Sequence, residues 1–149
     1  MGKLLGIAYK LAKYGEMIEC NEANVGAQTG VENDVRGIPG KRQVTVLSKE
    51  GFDAACATLG QSLPWTTRRA NLFVEGVNLE QSTGKFLSIG EILLEITGET
   101  EPCYRMDEQR NGLKEALQPH WRGGVTCRVL NGGLIRLNDA VQIIADDHE

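Results

Sequence analysis

The parts of this chain able to do chemistry are four thiols and a set of arginines beside glycines. The cysteines are Cys20, Cys56, Cys103 and Cys127. A thiolate is both a nucleophile and a soft metal ligand, so each cysteine is judged by whether its surroundings favour ionisation. Cys56 falls on a helical apolar stripe with Phe52, Ala55 and Leu59, and Cys127 alternates with Val125 and Val129. Both read as small core residues. Cys20 sits at a strand end with no assignable role. Cys103 differs, because it follows Pro102 at a strand-to-helix connection, with Arg105 two residues on. A cation and the N–H groups of a helix start both lower a thiol pKa, whereas Glu99 and Glu101 oppose that shift. On these residues alone, a reactive and an inert Cys103 both stay open. No two cysteines form a CxxC pair and the only histidines are His120 and His148, which points away from structural zinc.

The second chemical feature is cationic. Arg36, Lys41 and Arg42 lie in or beside a glycine-bearing segment, 21–41. Arg68 and Arg69 precede a predicted strand, and Arg122 precedes Gly123-Gly124. The planar guanidinium fork makes paired hydrogen bonds to phosphate, and glycine lets backbone N–H groups approach an anion closely. These side chains are either solvated singly or, if the fold gathers their loops at one mouth, they make an anion site. Asn71 would either bond a ligand or tie down a loop. Asp34 and Asp139 are read as turn caps or arginine partners, and His120 as a helix-end cap.

Those residues need elements to hold them. The predicted strands are Lys3–Tyr14, Met17–Cys20, Gln43–Leu47, Ala70–Val74, one containing Ile92, Leu94 and Ile96, then Gly124–Leu130 and one closing on Val141 and Ile143. Ser48 caps a helix that stops at Gly60. Asp107 caps a second helix carrying Leu113, Ala116 and Leu117, and Gly132-Gly133 reads as a hairpin turn. The segment 21–41 reads as a long glycine-bearing loop, of the kind that is either functional or disordered. With 149 residues, 41% hydrophobic and 18 glycines, this is one mostly-β domain over 1–145 with a polar tail, 146–149. The expected architecture is a mixed, partly closed barrel of seven or eight strands with two or three short helices. A net charge of −4 without a basic run argues against nucleic-acid partners. No apolar run is long enough to span a membrane and no secretory signal is seen at the start, so a cytoplasmic location without membrane partners is expected.

Read together, several short motifs resemble the MOSC domain family, named for the C-terminal domain of molybdenum-cofactor sulfurase. Thr100-Glu101-Pro102-Cys103-Tyr104-Arg105-Met106 resembles its cysteine motif, and Gly30-Val31-Glu32-Asn33-Asp34 its glycine–aspartate loop. Arg69-Ala70-Asn71-Leu72 with Gly76-Val77-Asn78-Leu79, then Leu87-Ser88-Ile89-Gly90, Arg122-Gly123-Gly124-Val125 and Asn138-Asp139-Ala140-Val141, follow in the family's order. Asn33 stands where relatives often carry glycine, and Val35-Arg36 replaces a histidine that many have after the aspartate.

The resemblance implies a pyruvate-kinase-barrel-like fold and the molybdenum cofactor, a pterin dithiolene bearing a phosphate. Cys103 would then ligate molybdenum, with Arg36, Lys41, Arg42, Arg68, Arg69, Asn71, Arg105 and Arg122 as its cofactor-binding set. One implied function is reduction of N-hydroxylated or similar small substrates, with an electron-transfer protein as partner. A second is sulfur carriage through a Cys103 persulfide, fed by a sulfur-donor protein. A third is a non-catalytic module that holds a cofactor or partner. Pyridoxal phosphate, associated with a separate domain in sulfurases, is not expected to bind here.

Overall fold

The computed structural model describes residues 2–102 and 104–145. Cys103 and the tail 146–149 therefore lie outside the described residues. The chain runs β1 (Gly2–Tyr9), β2 (Ile18–Cys20), β3 (Glu22–Gly26), β4 (Gly30–Val31), β5 (Val44–Ser48) and α1 (Lys49–Leu59). A 3-10 turn, Trp65–Arg68, leads to β6 (Leu72–Glu75), β7 (Phe86–Ile89) and β8 (Ile92–Glu99). Helices α2 (Tyr104–Gln109) and α3 (Leu113–Leu117) and the 3-10 turn Pro119–Trp121 precede β9 (Val125–Asn131), β10 (Gly133–Arg136) and β11 (Ala140–Ile144). No helix among the described residues is long and apolar enough to cross a membrane.

Seven strands close into a barrel in the order β11-β7-β8-β9-β5-β6-β1, and β1 returns to β11 through Gly2 opposite Val141 and Lys3 opposite Ala140. The barrel is thus closed rather than partly open, by a short pairing too brief to show as a sequence pattern. It is mixed because β5 and β6 run parallel, with Val46 opposite Leu72. Parallel neighbours need a crossover, and α1 with the Trp65–Arg68 turn supplies it. Strand β2 extends the sheet from β1, while β10, β3 and β4 form a separate three-stranded sheet.

Alternation explains which faces are buried. Val125, Cys127 and Val129 of β9 point into the barrel beside Leu4, Val44, Leu72, Leu94 and Ile96. A second core packs Leu47 of β5 against Phe52 and Ala55 of α1 and Leu113 and Leu117 of α3. Fully burying a side chain of this size contributes about 1.5–3 kcal/mol, so these two layers fix the strands whose ends carry the site. Ser48 caps α1 by accepting the Gly51 N–H at 3.0 Å, and Gly60 ends it, as its sequence indicates.

Several expectations are corrected. The first strand stops at Tyr9, and residues 10–14 form a turn instead of continuing it. Segment 21–41 is not all loop: Ala23 and Val25 are buried on β3, a short alternation overshadowed by the surrounding glycines. Gly132-Gly133 does not turn a hairpin, because β9 pairs with β5 and β8 whereas β10 pairs with β3. The predicted second helix is split in two. Asp107 lies within α2 and accepts the Lys114 N–H of α3 at 3.0 Å. His120 sits in a 3-10 turn at φ 56° with its ring against Glu80 at 3.2 Å, so it caps no α-helix.

Candidate functional site

The ends of β1, β8 and α2's first turn meet the start of β5 and the Trp65–Arg68 turn around a cavity of about 470 Å³. This size suits a small organic ligand. Lys10, Lys13 and Tyr14 enter from the turn after β1, and Arg36 and Arg42 from the loop before β5. Arg68 and Arg69 come from the crossover, Thr100, Glu101 and Pro102 from the end of β8, and Arg105 and Met106 from α2. Seven cations thus line the cavity, against the single carboxylate of Glu101. The residues bracketing position 103 in the chain, Pro102 and Arg105, are both in this wall.

Each arginine is held differently. Arg68 is 7% exposed, and its Nε donates to the Gly123 carbonyl at 3.0 Å while Nη2 donates to the Thr100 carbonyl at 2.9 Å. The backbones it joins come so close that a Cβ at Gly123 would stand 2.6 Å from the Thr100 oxygen. Any side chain there would push the wall open. Arg69, with φ 66°, donates to the Gly15 carbonyl and so pins the turn after β1. Arg105 stands over the Tyr14 ring, with its guanidinium carbon 4.0 Å from the centroid, and donates to the Tyr14 hydroxyl.

Asp34 organises this mouth and offsets part of the charge around Lys10. Its carboxylate accepts the Lys10 N–H at 3.0 Å and the Arg36 N–H at 3.2 Å. Asn33 beside it takes φ 71°, a conformation asparagine tolerates better than most non-glycine residues. Lys10, Lys13, Arg36, Arg42 and Arg69 make no ion pair with a described carboxylate. Burial, then the Arg36 and Arg69 charges, hold the Lys10 ammonium below the ordinary lysine range. Burial, Arg105 and Arg36 act on Arg69 in the same direction. The Thr100 hydroxyl is buried without a hydrogen-bond partner among the described residues. An anion entering this site meets a lining of net positive charge, offset in part by Asp34 near Lys10.

The lowered Lys10 pKa carries a stability consequence. The unfolded chain holds that proton to higher pH than the folded one does. Folding stability therefore rises with pH between Lys10's folded value and the ordinary value of 10.5, through this group. Lys10→Met is expected to remove that rise and to raise Tm at neutral pH, while weakening anion binding. Thermal melts from neutral to alkaline pH check this; a Tm lowered at neutral pH would contradict it.

Of the residues singled out in the sequence, Arg36, Arg42, Arg68, Arg69 and Arg105 are brought together here. Asn71 lines a small recess beside the cavity and is committed to the fold: its Oδ1 accepts the Thr45 N–H at 3.0 Å and its Nδ2 donates to the Ala8 carbonyl at 3.1 Å. Lys41 lies outside, on an adjoining groove. Arg122 lines a separate cavity and donates to the Ala116 carbonyl at 3.0 Å. Asp139 caps a turn through the Arg136 N–H at 2.8 Å. Burial pushes the thiols of Cys127 and Cys20 up, and the Cys103 reading falls outside the described residues. Lys10, Lys13, Tyr14 and Thr100 are cavity residues that sequence reasoning missed. The first three were absorbed into an overlong strand, although Lys10 and Lys13 at i, i+3 beside Tyr14 offered a signal.

The MOSC domain family model matches residues 22–142 of this chain. No curated protein matches it. Among solved structures, the YUAD protein from Bacillus subtilis is similar with a TM-score of 0.83 and 18% identity, over 99% of this chain and 98% of that one. YiiM from Geobacillus stearothermophilus aligns with a TM-score of 0.74 and 15% identity, over 97% and 75%. YiiM from Escherichia coli aligns with a TM-score of 0.71 and 15% identity, over 99% and 72%. At such identities the likeness is one of fold.

Proposed function

This chain belongs to the MOSC domain family, and from that premise we propose that its cationic cavity holds the molybdenum cofactor for reduction of a small substrate. The observation that carries the reading is the charge of the cavity, seven cations against one carboxylate beside the cysteine motif. The donor set fits a group that joins a phosphate to a soft metal. Arg36, Arg42, Arg69 and Lys10 would hold the phosphate and pterin oxygens. Arg68 would act from behind, fixing the wall through Gly123 and Thr100. Cys103 would supply the soft thiolate ligand, favoured by the nearby Arg105 in sequence.

When bound, the cofactor supplies two-electron oxygen-atom chemistry that no side chain here can provide. The chain contributes orientation and charge. Lys10, whose ammonium is disfavoured by burial and by the neighbouring arginines, would gain proton preference beside an anion.

Tripolyphosphate tests the anion site without the metal. At saturation it is expected to raise Tm by about 5–10 °C, the effect of a ligand near a hundred times its Kd on a domain of this size. In Arg36→Glu combined with Arg42→Glu, both exposed, the rise is expected to vanish while the unliganded melt stays within a few degrees. A wild-type Tm indifferent to tripolyphosphate would remove the basis of the proposal.

A further inference from the structure

Six large apolar side chains stand exposed among the described residues; Tyr14 lines the cationic cavity, and Val35 and Ile38 line an adjoining groove. Leu11 and Tyr14 lie on the turn after β1, and Val35 and Ile38 on the loop before β5. Leu11 is 65% exposed and Ile38 72%. The two segments are pinned together, since the Val35 N–H donates to the Lys10 carbonyl at 2.8 Å.

A groove of about 360 Å³ runs along the second of these loops. Val35, Ile38 and Pro39 give it apolar surface, and Arg36, Lys41 and Arg42 give it positive charge. Arg36 and Arg42 line both groove and cavity, so the two adjoin. The loop is held in shape. Gly37 packs so closely that a Cβ there would fall 1.7 Å from the Thr29 carbonyl oxygen, and buried Gln43 donates to the Gly37 carbonyl at 3.0 Å. A preformed surface loses little conformational entropy on binding.

We propose that this groove docks an acidic protein partner, which inserts an apolar side chain beside Ile38 and sets carboxylates against Arg36, Lys41 and Arg42. Charge complementarity selects this occupant. Among the described residues, 16 Lys+Arg and 17 Asp+Glu, the cavity lining takes seven cations and one carboxylate, which leaves nine cations and sixteen carboxylates outside it. Positive charge is therefore concentrated on this one face. A symmetric pairing of two copies through it sets cations against cations. A bilayer surface presents no side chain to fill a groove. Docking here covers the cavity mouth, the position from which a partner can exchange electrons or sulfur with a bound group. The surface itself does not depend on what the cavity holds.

The probe is a short peptide alternating leucine with glutamate, read by amide chemical shifts, with a leucine–lysine peptide as reference. Shifts confined to residues 10–14 and 35–42 are expected with the acidic peptide alone, weakening about tenfold or more from low salt to roughly 0.5 M. Ile38→Asp is expected to weaken binding at least tenfold while the tripolyphosphate-induced rise in Tm persists. That persistence separates failure of the docking surface from failure of the anion cavity. Shifts spread elsewhere, binding unaffected by Ile38→Asp, or stronger capture by vesicles of anionic lipid than by the peptide would each overturn the proposal.

Discussion

Replacing Arg68 with methionine is expected to cost roughly 2–5 kcal/mol of folding stability. Arg68 is 7% exposed and donates to the carbonyls of Thr100 and Gly123. Methionine fills much of the same volume but leaves both carbonyls buried without that donor, at roughly 1–3 kcal/mol each. For a domain of this length the loss lowers Tm by roughly 5–15 °C. Arg68→Lys reaches at most one of the two carbonyls and is expected to fall between methionine and wild type. Urea unfolding measures all three. A methionine variant as stable as wild type would mean that Arg68 does not tie β8 to the segment before β9, and the cavity wall would need another explanation.

Cys103→Ser is expected to lower retained molybdenum at least tenfold. Serine keeps the size of the side chain but exchanges a soft thiolate for a hard, scarcely ionised hydroxyl, a poor match for this metal. The protein is to be expressed in a host that makes the cofactor and desalted before metal analysis. Equal molybdenum in variant and wild type would eliminate Cys103 as the ligand. Intact mass on the same wild-type sample separates the sulfur-carrier use of this thiol. Added sulfur mass after incubation with a cysteine desulfurase, absent in Cys103→Ser, would favour it over the reductase reading.

Much of the fold was legible because burial leaves a period in the sequence. Val125, Cys127 and Val129 announced β9, and Ser48 with Gly60 bracketed α1 to the residue. Barrel closure was not legible, because it rests on two residue pairs between the chain's ends, Gly2 with Val141 and Lys3 with Ala140. No local pattern encodes such a distant pairing. Glycine content hid β3 and β4, whose strands are short and whose turns are dense.

The site was partly legible for a related reason. Arginines beside glycines were visible as candidates, and Arg36, Arg42, Arg68, Arg69 and Arg105 share one cavity. What separates them from Arg122 is topology. Gly123 lines the cationic cavity, whereas Arg122, one residue earlier, lines a different cavity and is spent on Ala116 and Thr58. Lys10 shows the reverse. Its place depends on where β1 stops, and strand ends are set by what the neighbouring strands can pair with.

The most direct measurement is the molybdenum and phosphorus content of wild type purified from a cofactor-producing host, beside Arg36→Glu combined with Arg69→Glu. The account predicts molybdenum approaching one atom per chain in wild type, with phosphorus in step, and at least a tenfold loss of both in the charge-reversed protein. Wild type free of molybdenum, from a host whose own molybdenum enzymes are loaded, would contradict it, as would a charge-reversed protein that retains the metal in full.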